Sequence, residues 1–345
     1  MKNKNESMDK ITVLGGGSWG TTMAILLAEK GLSVTIWEYF KENVVLMRND
    51  RENKKYLPGI KIPQNVRVTD NLEEALNNSE ILVVALPSHT IRIHMQKINY
   101  FKINILHAIV ILSKGLENGT FFRMSEVVND CLGKEYDGKI VTLSGPSHAE
   151  EVSLKFPTAV VAAGKDHELL ENIQRIFGNE YFRVYTNPDQ VGVELGGSLK
   201  NIIAIACGIS DGLGYGDNTK AGLITRGLAE ISRFVAAQGG DPVTSMGLSG
   251  LGDLVVTCTS RHSRNRKLGE LIGKGNTLSE ALEKMVMVAE GVKTTKSAFD
   301  LSQKNKIDMP ITGEVYKVLY QNQSPLDAVN NLLRRKQKSE IVSGE

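Results

Sequence analysis

The chain has 345 residues, of which 41% are hydrophobic and 23% are charged, as is usual for a soluble globular protein. At roughly 150 residues per domain, this length suggests two domains. The 41 basic and 39 acidic side chains leave a net charge of +2, which argues against a dedicated nucleic-acid-binding protein. Three widely spaced cysteines exclude a disulfide framework, and six histidines without metal-ligand spacing give no metal site. We therefore expect a reducing, cytoplasmic location.

The hydrophobic segments are too short to cross a membrane. The longest ones, at 81–86 and 202–207, fall far below the roughly 20 residues that a spanning helix needs. The beginning of the chain, MKNKNESMDK, is too polar to contain the apolar core of a signal peptide. We therefore expect neither a membrane span nor export.

The first half of the chain alternates short β-branched segments with amphipathic ones. This alternation predicts a doubly wound parallel sheet that helices cover on both faces. The predicted strands are Ile11–Leu14, Ser33–Glu38, Val66–Thr69, Ile81–Leu86, Ala108–Ser113, Ile140–Leu143, Ala159–Ala163 and Phe182–Tyr185. The predicted helices between them include Gly20–Lys30, Leu72–Asn77 and Glu168–Phe177.

The pattern changes near residue 187. Asn187 as an N-cap, Pro188 at the first helical position and Gln190 three residues after the cap predict the start of a helix. Later helix starts are predicted by a capping box at 277–280 and by Ser-Pro at 324–325. We predict an α/β domain over residues 1–189 and an all-helical domain over residues 190–345, with a ligand in the cleft between them.

One glycine-rich segment predicts a dinucleotide site. Gly15, Gly17 and Gly20 form a GxGxxG motif that follows a predicted strand and opens a predicted helix. The first glycine permits a tight turn, the second lets the backbone approach a pyrophosphate, and the third allows the helix to pack closely on the strand. Neighbouring glycines also form ordinary turns, but the context of these three favours a Rossmann-type domain.

The predicted second strand ends in Glu38. In Rossmann-type domains an acidic residue at this place binds the 2′-hydroxyl of the adenosine ribose. A carboxylate there would repel a 2′-phosphate, which favours NAD over NADP. The alternative is a solvent-exposed glutamate at the end of a strand.

Two lysines are candidates for the chemistry. Lys200 lies inside an apolar helical segment, where burial would lower its pKa into the range that is useful for proton transfer. Lys114 follows the predicted strand 108–113, at the end of the sheet where doubly wound folds bind ligands. The alternatives are a Lys200 stem that lies along the core with its ammonium in water, and a solvated loop lysine at 114.

A basic cluster of Arg261, Arg264, Arg266 and Lys267 follows the glycine-rich segment 247–252. Guanidinium groups match the geometry of phosphate, so the cluster favours a phosphate-bearing ligand. Nucleic acid is less favoured, because interleaved aromatic residues would then be expected. A solvated basic face is the alternative.

Eight motifs in order give the chain a resemblance to NAD(P)-dependent glycerol-3-phosphate dehydrogenase over about residues 10–335. They are GGGSWG at 15–20, KYLPG at 55–59, SKGLE at 113–117, SGPSHAEE at 144–151, GSLKN at 197–201, DGLGYGDNTK at 211–220, GLGD at 250–253 and SRNR at 263–266.

The resemblance implies reversible hydride transfer between a nicotinamide cofactor and dihydroxyacetone phosphate. The product, sn-glycerol 3-phosphate, would supply glycerophospholipid synthesis. Lys200 is implied to be the catalytic acid/base, and Lys114 is implied to touch both the nicotinamide region and the substrate. A homodimer, common in this family, is a further expectation.

The resemblance also implies roles for other residues. The implied catalytic positions beside the two lysines are Asp253, Asn201 and Thr257. The implied substrate-binding positions are Lys114, Gly145, Ser147, Lys200, Asp253, Ser263, Arg264 and Asn265. The implied cofactor-binding positions are Gly15, Gly17, Ser18, Trp19, Gly20, Glu38, Tyr39, Lys114, Ala149, Arg264, Val288 and Glu290.

The segment after Trp37 departs from the common bacterial pattern. Many bacterial members carry a basic residue there for the 2′-phosphate of NADP, whereas this chain has Glu38, Tyr39 and Phe40. This segment is more similar to the NAD-specific eukaryotic branch. We therefore expect NAD or NADP as cofactor, with NAD favoured, and Tyr39 packed on adenine. The nearby Lys41 weakens this reasoning.

Two other functions compete with this interpretation. A β-hydroxyacid dehydrogenase also joins a Rossmann domain to a helical domain with a catalytic lysine, but it would need neither the basic cluster nor Lys114. A nucleotide-sensing binding protein would not need Lys200, Lys114 and Asp253 together. His148 and His262 are interpreted as residues with local hydrogen bonds.

Overall fold

The computed structural model describes residues 10–77, 79–101, 107–285, 288–337 and 339–340. Its first part is built on an eight-stranded sheet. The strands are β1 (Lys10–Leu14), β2 (Ser33–Trp37), β3 (Val66–Thr69), β4 (Ile81–Val84), β5 (Ala108–Ile111), β6 (Ile140–Ser144), β7 (Thr158–Ala163) and β8 (Phe182–Asn187). All eight predicted strands are confirmed, with bounds that shift by a few residues.

The strand order is β3-β2-β1-β4-β5-β6-β7-β8. Neighbouring strands are parallel except β6 and β7, which are antiparallel. The prediction of a parallel doubly wound sheet is therefore confirmed except at this pair. The connection 145–157 holds only the short helix Ala149–Ser153, so the chain returns beside β6 instead of crossing over through a long covering helix.

Helices pack on both faces of the sheet, because its strands are apolar on both sides. They are α1 (Ser18–Glu29), α2 (Lys41–Asp50), α3 (Leu72–Leu76), α4 (Ile91–Tyr100), α5 (Met124–Leu132), α6 (Ala149–Ser153) and α7 (His167–Phe177). The chain then changes to helices: α8 (Gln190–Gly212), α9 (Asp217–Ala237), α10 (Asp253–Thr259), α11 (Arg264–Gly273), α12 (Leu278–Glu283), α13 (Gly291–Lys304), α14 (Pro310–Tyr320) and α15 (Pro325–Leu333). A domain division at 189/190 stays a prediction.

The start of α8 differs in detail from the prediction. Asp189 is the N-cap and accepts a hydrogen bond from the Gly192 N–H at 2.9 Å. The predicted cap, Asn187, instead ends β8 and accepts from the Asp189 N–H at 2.8 Å. Predicted caps at Thr277 and Ser324 are confirmed.

Helix α8 is the central helix of the second part. It is 23 residues long, and among the described helices it alone has the length and apolar composition to cross a membrane. The short apolar segments of the sequence did not predict an apolar helix of this length, because small residues join these segments into one longer stretch. The apolar stretch of α8 is completely buried inside the protein, which is typical of a core helix.

Glycines let α8 and α11 pack backbone against backbone. A Cβ atom at Gly208 would overlap the carbonyl oxygen of Arg266, and a Cβ atom at Gly269 would overlap that of Ile205. Gly212 and Gly273 form a similar contact further along the two helices. This close approach fixes the beginning of α11 beside the middle of α8.

We expect Gly208→Ala to lower the free energy of unfolding by about 1–3 kcal/mol, because an added methyl group overpacks this contact. Gly222 in α9 is a matched control, since nothing lies within 4 Å of its Cβ position. Gly222→Ala should raise stability by up to about 1 kcal/mol through helix propensity. Urea denaturation of both variants tests this, and equal stability of the two would contradict it.

Candidate active site

A cleft lies where the carboxyl ends of β1, β2, β4 and β5 face α8, α10 and the start of α11. Its volume is about 350 Å³, and doubly wound sheets bind ligands at this edge. The predicted site residues that line it are Gly15, Gly17, Ser18, Trp19, Glu38, Tyr39, Lys114, Ser147, Ala149, Lys200, Asn201, Asp253, Thr257, Ser263, Arg264, Asn265, Val288 and Glu290. Gly20 and Gly145 lie behind this surface, against Gly15 and Val160 respectively.

The glycine loop after β1 fits a diphosphate. Gly15 has a φ of +109°, and a Cβ there would lie 2.7 Å from the Ala85 carbonyl oxygen. Gly17, by contrast, has open space around its Cβ position, so a ligand can approach the backbone there. Gly17 is also the N-cap of α1, without a side-chain cap bond, and the first turn of α1 holds no acidic residue. Its N–H groups and the helix dipole therefore favour an anion.

Glu38 lies beneath this loop and has only 4% of its surface exposed. Its Oε2 accepts from the Gly16 N–H at 3.0 Å, and its Oε1 accepts from the Phe40 N–H at 3.0 Å. Burial raises the pKa of this carboxyl, and the two hydrogen bonds oppose that rise. Glu38 is therefore not the solvent-exposed glutamate of the alternative interpretation. Its contact with a ribose stays a prediction.

Aromatic side chains line the adjoining end of the cleft. Tyr39 and Phe40 are 59% and 49% exposed, and Tyr56 lies beside them. The ring of Tyr39 stands 6.2 Å from the ring of Trp37. Exposed rings at this place offer a surface for a base, and the packing of adenine on Tyr39 stays a prediction.

Asp253 joins the two predicted lysines. Its Oδ1 is 2.7 Å from Lys200 Nζ, and its Oδ2 is 2.5 Å from Lys114 Nζ. Thr257, one turn further along α10, accepts from Lys200 Nζ at 2.6 Å and donates to the Asp253 carbonyl oxygen at 2.6 Å. Lys200 is not a lysine whose ammonium lies in water, because the side chain is buried to its ammonium. Lys114 is not a solvated loop lysine, because it pairs with Asp253.

The charges in this group shift one another's protonation. Burial lowers the pKa of Lys200 to about 8, with Lys114 adding to the decrease and Asp253 opposing it. Burial alone would raise the pKa of Asp253, but Lys114 and Lys200 together hold it below its ordinary value. Lys200 can therefore change protonation near neutral pH while Asp253 stays ionised.

Helix α8 also positions Lys114. The hydroxyl of Ser198 accepts from the Gly115 N–H at 2.8 Å, which fixes the loop after β5 to the helix. Gly197 leaves room for the Lys114 stem, whose carbons lie 3.6 and 3.7 Å from its Cβ position. Lys114 Nζ then reaches the Gly145 carbonyl oxygen at 3.3 Å. The conformation of one helix thus determines where both lysines lie.

The beginning of α11 contributes polar groups to the cleft. Ser263 is its N-cap and accepts from the Arg266 N–H at 3.2 Å. Asn265 donates to Asn201 Oδ1 at 2.9 Å and accepts from the Gly291 N–H at 2.9 Å. This helix end therefore presents N–H groups and the side chain of Arg264 to the cleft.

The predicted basic cluster is divided between different surroundings. Arg264 lines the cleft, whereas Arg266 pairs with Asp211 at 2.7 Å and Lys267 pairs with Glu270 at 3.4 Å. The prediction of one phosphate-binding cluster is therefore wrong for Arg266 and Lys267. A helix turns about 100° per residue, so neighbouring basic residues point in different directions.

His148 lines the cleft beside the lysines. Its Nε2 is buried without a hydrogen-bond partner among the described residues, and its ring is 5.8 Å from that of His262. The interpretation of His148 as a residue with local hydrogen bonds is wrong for this nitrogen. Burial, with a contribution from Lys200, lowers the pKa of His148 and so favours its neutral ring.

Sequence reasoning also missed the segment after β4. Leu86 and Pro87 line the cleft, and Ser88 donates its N–H to Glu290 Oε1 at 3.2 Å. The contact ties the sheet to the loop before α13. The rule that ligands bind at the carboxyl ends of parallel strands was the signal that could have identified this segment.

Comparison with known proteins identifies the family of this chain. Residues 10–170 match the family model for the NAD-dependent glycerol-3-phosphate dehydrogenase N-terminus, and residues 189–330 match the one for its C-terminus. The curated glycerol-3-phosphate dehydrogenase (NAD(P)+) of Thermoanaerobacter sp. (strain X514) is 52% identical over 338 residues, which are 96% of this chain and 99% of the relative. The enzyme of the same name from Chlorobium phaeobacteroides (strain BS1) is 50% identical over 334 residues, with 96% and 99% covered.

A solved structure is similar to this chain in sequence and fold. The crystal structure of glycerol-3-phosphate dehydrogenase from Coxiella burnetii is 39% identical in sequence, with a TM-score of 0.90. The match covers 95% of this chain and 99% of that one. The chain therefore belongs to the NAD-dependent glycerol-3-phosphate dehydrogenase family and is an oxidoreductase that uses NAD or NADP.

Proposed function

We propose that the chain reversibly reduces dihydroxyacetone phosphate to sn-glycerol 3-phosphate, with Lys200 as the general acid/base. The observation that carries this proposal is the group of Lys114 and the buried Asp253 and Lys200, which lies beside a loop that fits a dinucleotide diphosphate. The bound nicotinamide supplies or accepts the hydride. The residues of this chain orient the substrate and move the proton.

Lys200 is suited to proton transfer in both directions. As an ammonium it donates a proton to the carbonyl oxygen during reduction, and as a neutral amine it accepts the hydroxyl proton during oxidation. Asp253 and Thr257 hold its Nζ in place at 2.7 and 2.6 Å. Lys114 adds positive charge where negative charge develops on the substrate oxygen.

The phosphate of the substrate would bind at the start of α11. Ser263, Arg264 and Asn265 lie there, with Arg264 as the cation and the helix dipole favouring an anion. Asn201 fixes the amide of Asn265 through their hydrogen bond. The loop with Gly145, Ser147 and Ala149 would close over substrate and cofactor.

The remaining cofactor contacts involve the glycine loop and other residues around the cleft. The diphosphate would bind to the loop of Gly15, Gly17 and Gly20, with Ser18 and Trp19 beside it. Val288 and Glu290, which also line the cleft, would contact the cofactor. Glu38 near the ribose favours NADH over NADPH.

We further propose that the product supplies glycerophospholipid synthesis. Three buried, unpaired cysteines support a reducing cytoplasm, and the homodimer remains an expectation from the resemblance.

We expect Lys200→Ala to lower kcat for dihydroxyacetone phosphate reduction by about 10²–10⁴-fold, the usual contribution of a general acid. Its binding of NADH, followed by nicotinamide fluorescence, should be unchanged. Lys267→Ala is the control, because this lysine pairs with Glu270 on the surface, and it should keep full activity. A Lys200→Ala variant with full turnover would contradict the proposed role of Lys200 as general acid/base.

The pKa of about 8 for Lys200 predicts opposite pH profiles for the two directions. Reduction needs the ammonium, so its kcat/KM should fall as pH rises through about 8, whereas oxidation needs the free amine and should rise there. Asp253 opposes the decrease of this pKa, so Asp253→Asn should move both limbs to lower pH. Parallel profiles for the two directions, from initial rates between pH 6 and 10, would contradict this role.

Initial rates with NADH and NADPH test the substrate and the cofactor together. We expect turnover of dihydroxyacetone phosphate with both cofactors and a higher kcat/KM for NADH. Unphosphorylated hydroxyacids should not be oxidised, because they lack the phosphate group that Arg264 and the start of α11 are proposed to bind. Turnover of hydroxyacids in place of glycerol 3-phosphate would favour a β-hydroxyacid dehydrogenase instead.

A further inference from the structure

A lysine at the aromatic end of the cleft has no role in the proposed reaction. Lys55 Nζ lies 5.3 Å from the centre of the Phe40 ring and 4.9 Å from that of the Tyr56 ring. Both rings line the cleft. An ammonium is attracted to the faces of aromatic rings, so these two contacts hold the Lys55 cation at the rim of the cleft while it remains exposed to solvent.

The turn that carries Lys55 is anchored to the glycine loop. Asn53 is completely buried. Its Nδ2 donates to the Gly16 carbonyl oxygen at 2.6 Å and to Thr21 Oγ1 at 2.9 Å. Its Oδ1 accepts from the Tyr56 N–H at 3.3 Å. A buried side chain therefore anchors the turn that carries Lys55 to the dinucleotide loop.

Glu38 indicates which part of a dinucleotide Lys55 would face. The acidic residue that ends the second strand of this fold marks the 2′ position of the adenosine ribose. Glu38 and Lys55 are near enough to attract each other electrostatically. Both oxygens of Glu38 accept backbone N–H groups, so the carboxylate is bound beneath the loop while the cation stands at the surface.

Nearby lysines are held by carboxylates, whereas Lys55 forms no ion pair with any carboxylate that the structure describes. Lys54 pairs with Asp50 at 2.8 Å, and Lys61 pairs with Glu52 at 2.8 Å. Lys41, the other lysine near Tyr39, lies 4.0 Å from Asp70 with 82% of its side chain exposed. Lys55 is thus the cation best placed to bind a further anion at this end of the cleft.

We propose that Lys55 binds the 2′-phosphate of NADP and is the residue that allows this chain to use NADPH as well as NADH. The inference rests on the dinucleotide site of the proposed function, and it assigns cofactor selection to two opposed groups. Glu38 disfavours a 2′-phosphate, and Lys55 compensates as a point charge of the kind that binds phosphate in proteins. Neither group touches the reacting atoms.

Direct binding of NADPH and NADH to the full chain, measured by nicotinamide fluorescence without substrate, tests this role. The two cofactors differ in the 2′-phosphate, so their shared contacts cancel in the comparison. Lys55→Gln should weaken NADPH binding about 10-fold, as expected for the loss of one charge-assisted contact, and should leave NADH binding unchanged. Lys55→Arg should keep most of the NADPH affinity, and high salt should reduce the difference between the unmodified chain and Lys55→Gln.

Lys54→Gln is the matched control, because it removes the neighbouring lysine, whose partner is Asp50. It should change neither affinity. Equal weakening of both cofactors by Lys55→Gln, or no change in either, would overturn the proposal. The result is independent of turnover: if Lys55→Gln weakens NADPH binding alone, in a chain that does not reduce dihydroxyacetone phosphate, the result would support the role of Lys55 and reject the proposed substrate.

Discussion

The structure of the cleft depends on one buried carboxylate that two lysines share. Asp253 begins α10, Lys200 lies in the middle of α8, and Lys114 follows β5, so the group connects three parts of the chain that are distant in sequence. Removal of Asp253 would leave two neighbouring lysines without their carboxylate, and an unpaired charge in a buried place is strongly destabilising. Thr257 and the Gly145 carbonyl oxygen accept further hydrogen bonds from the lysines. The same group of side chains therefore holds the helical part against the sheet and positions the residues that are proposed to carry out the chemistry.

Helix α8 satisfies this constraint because its sequence combines apolar, small and polar residues at fixed positions. Glu194 at its beginning accepts from the Ser125 N–H at 2.9 Å and pairs with Arg123 at 2.6 Å. Ser198 and Lys200 follow, and Gly208 and Gly212 then admit α11. A polar group on a helix that is buried on all sides costs free energy unless it finds a hydrogen-bond partner. The partners of Ser198 and Lys200, and the start of α11 beside Gly208, lie on elements that also form the cleft, whereas the partners of Glu194 lie at the start of α5. In the middle of α8, the packing of the core and the position of the site are therefore set together.

The sequence predicts the parts of this arrangement that are local. The eight strands follow from continuous apolar segments, and the caps at Thr277 and Ser324 follow from short motifs. Lys200 is identified by its apolar surroundings, but its partner Asp253 lies far along the chain, and only the resemblance to a family connects them. The directions of Arg266 and Lys267 depend on where α11 is docked. The antiparallel β7 and the unpartnered His148 nitrogen likewise result from tertiary packing.

The charge balance of the group explains why a buried lysine suits the proposed reaction. Two ammonium groups and one carboxylate leave an excess positive charge in surroundings where charge is poorly solvated. Burial and Lys114 shift Lys200 toward its neutral form, and Asp253 opposes this shift, so the balance between them places the pKa near 8. A substrate oxygen that becomes negative as hydride arrives would compensate the excess charge. The same imbalance that weakens the proton affinity of Lys200 therefore favours the transition state over the ground state, in which the carbonyl oxygen is neutral.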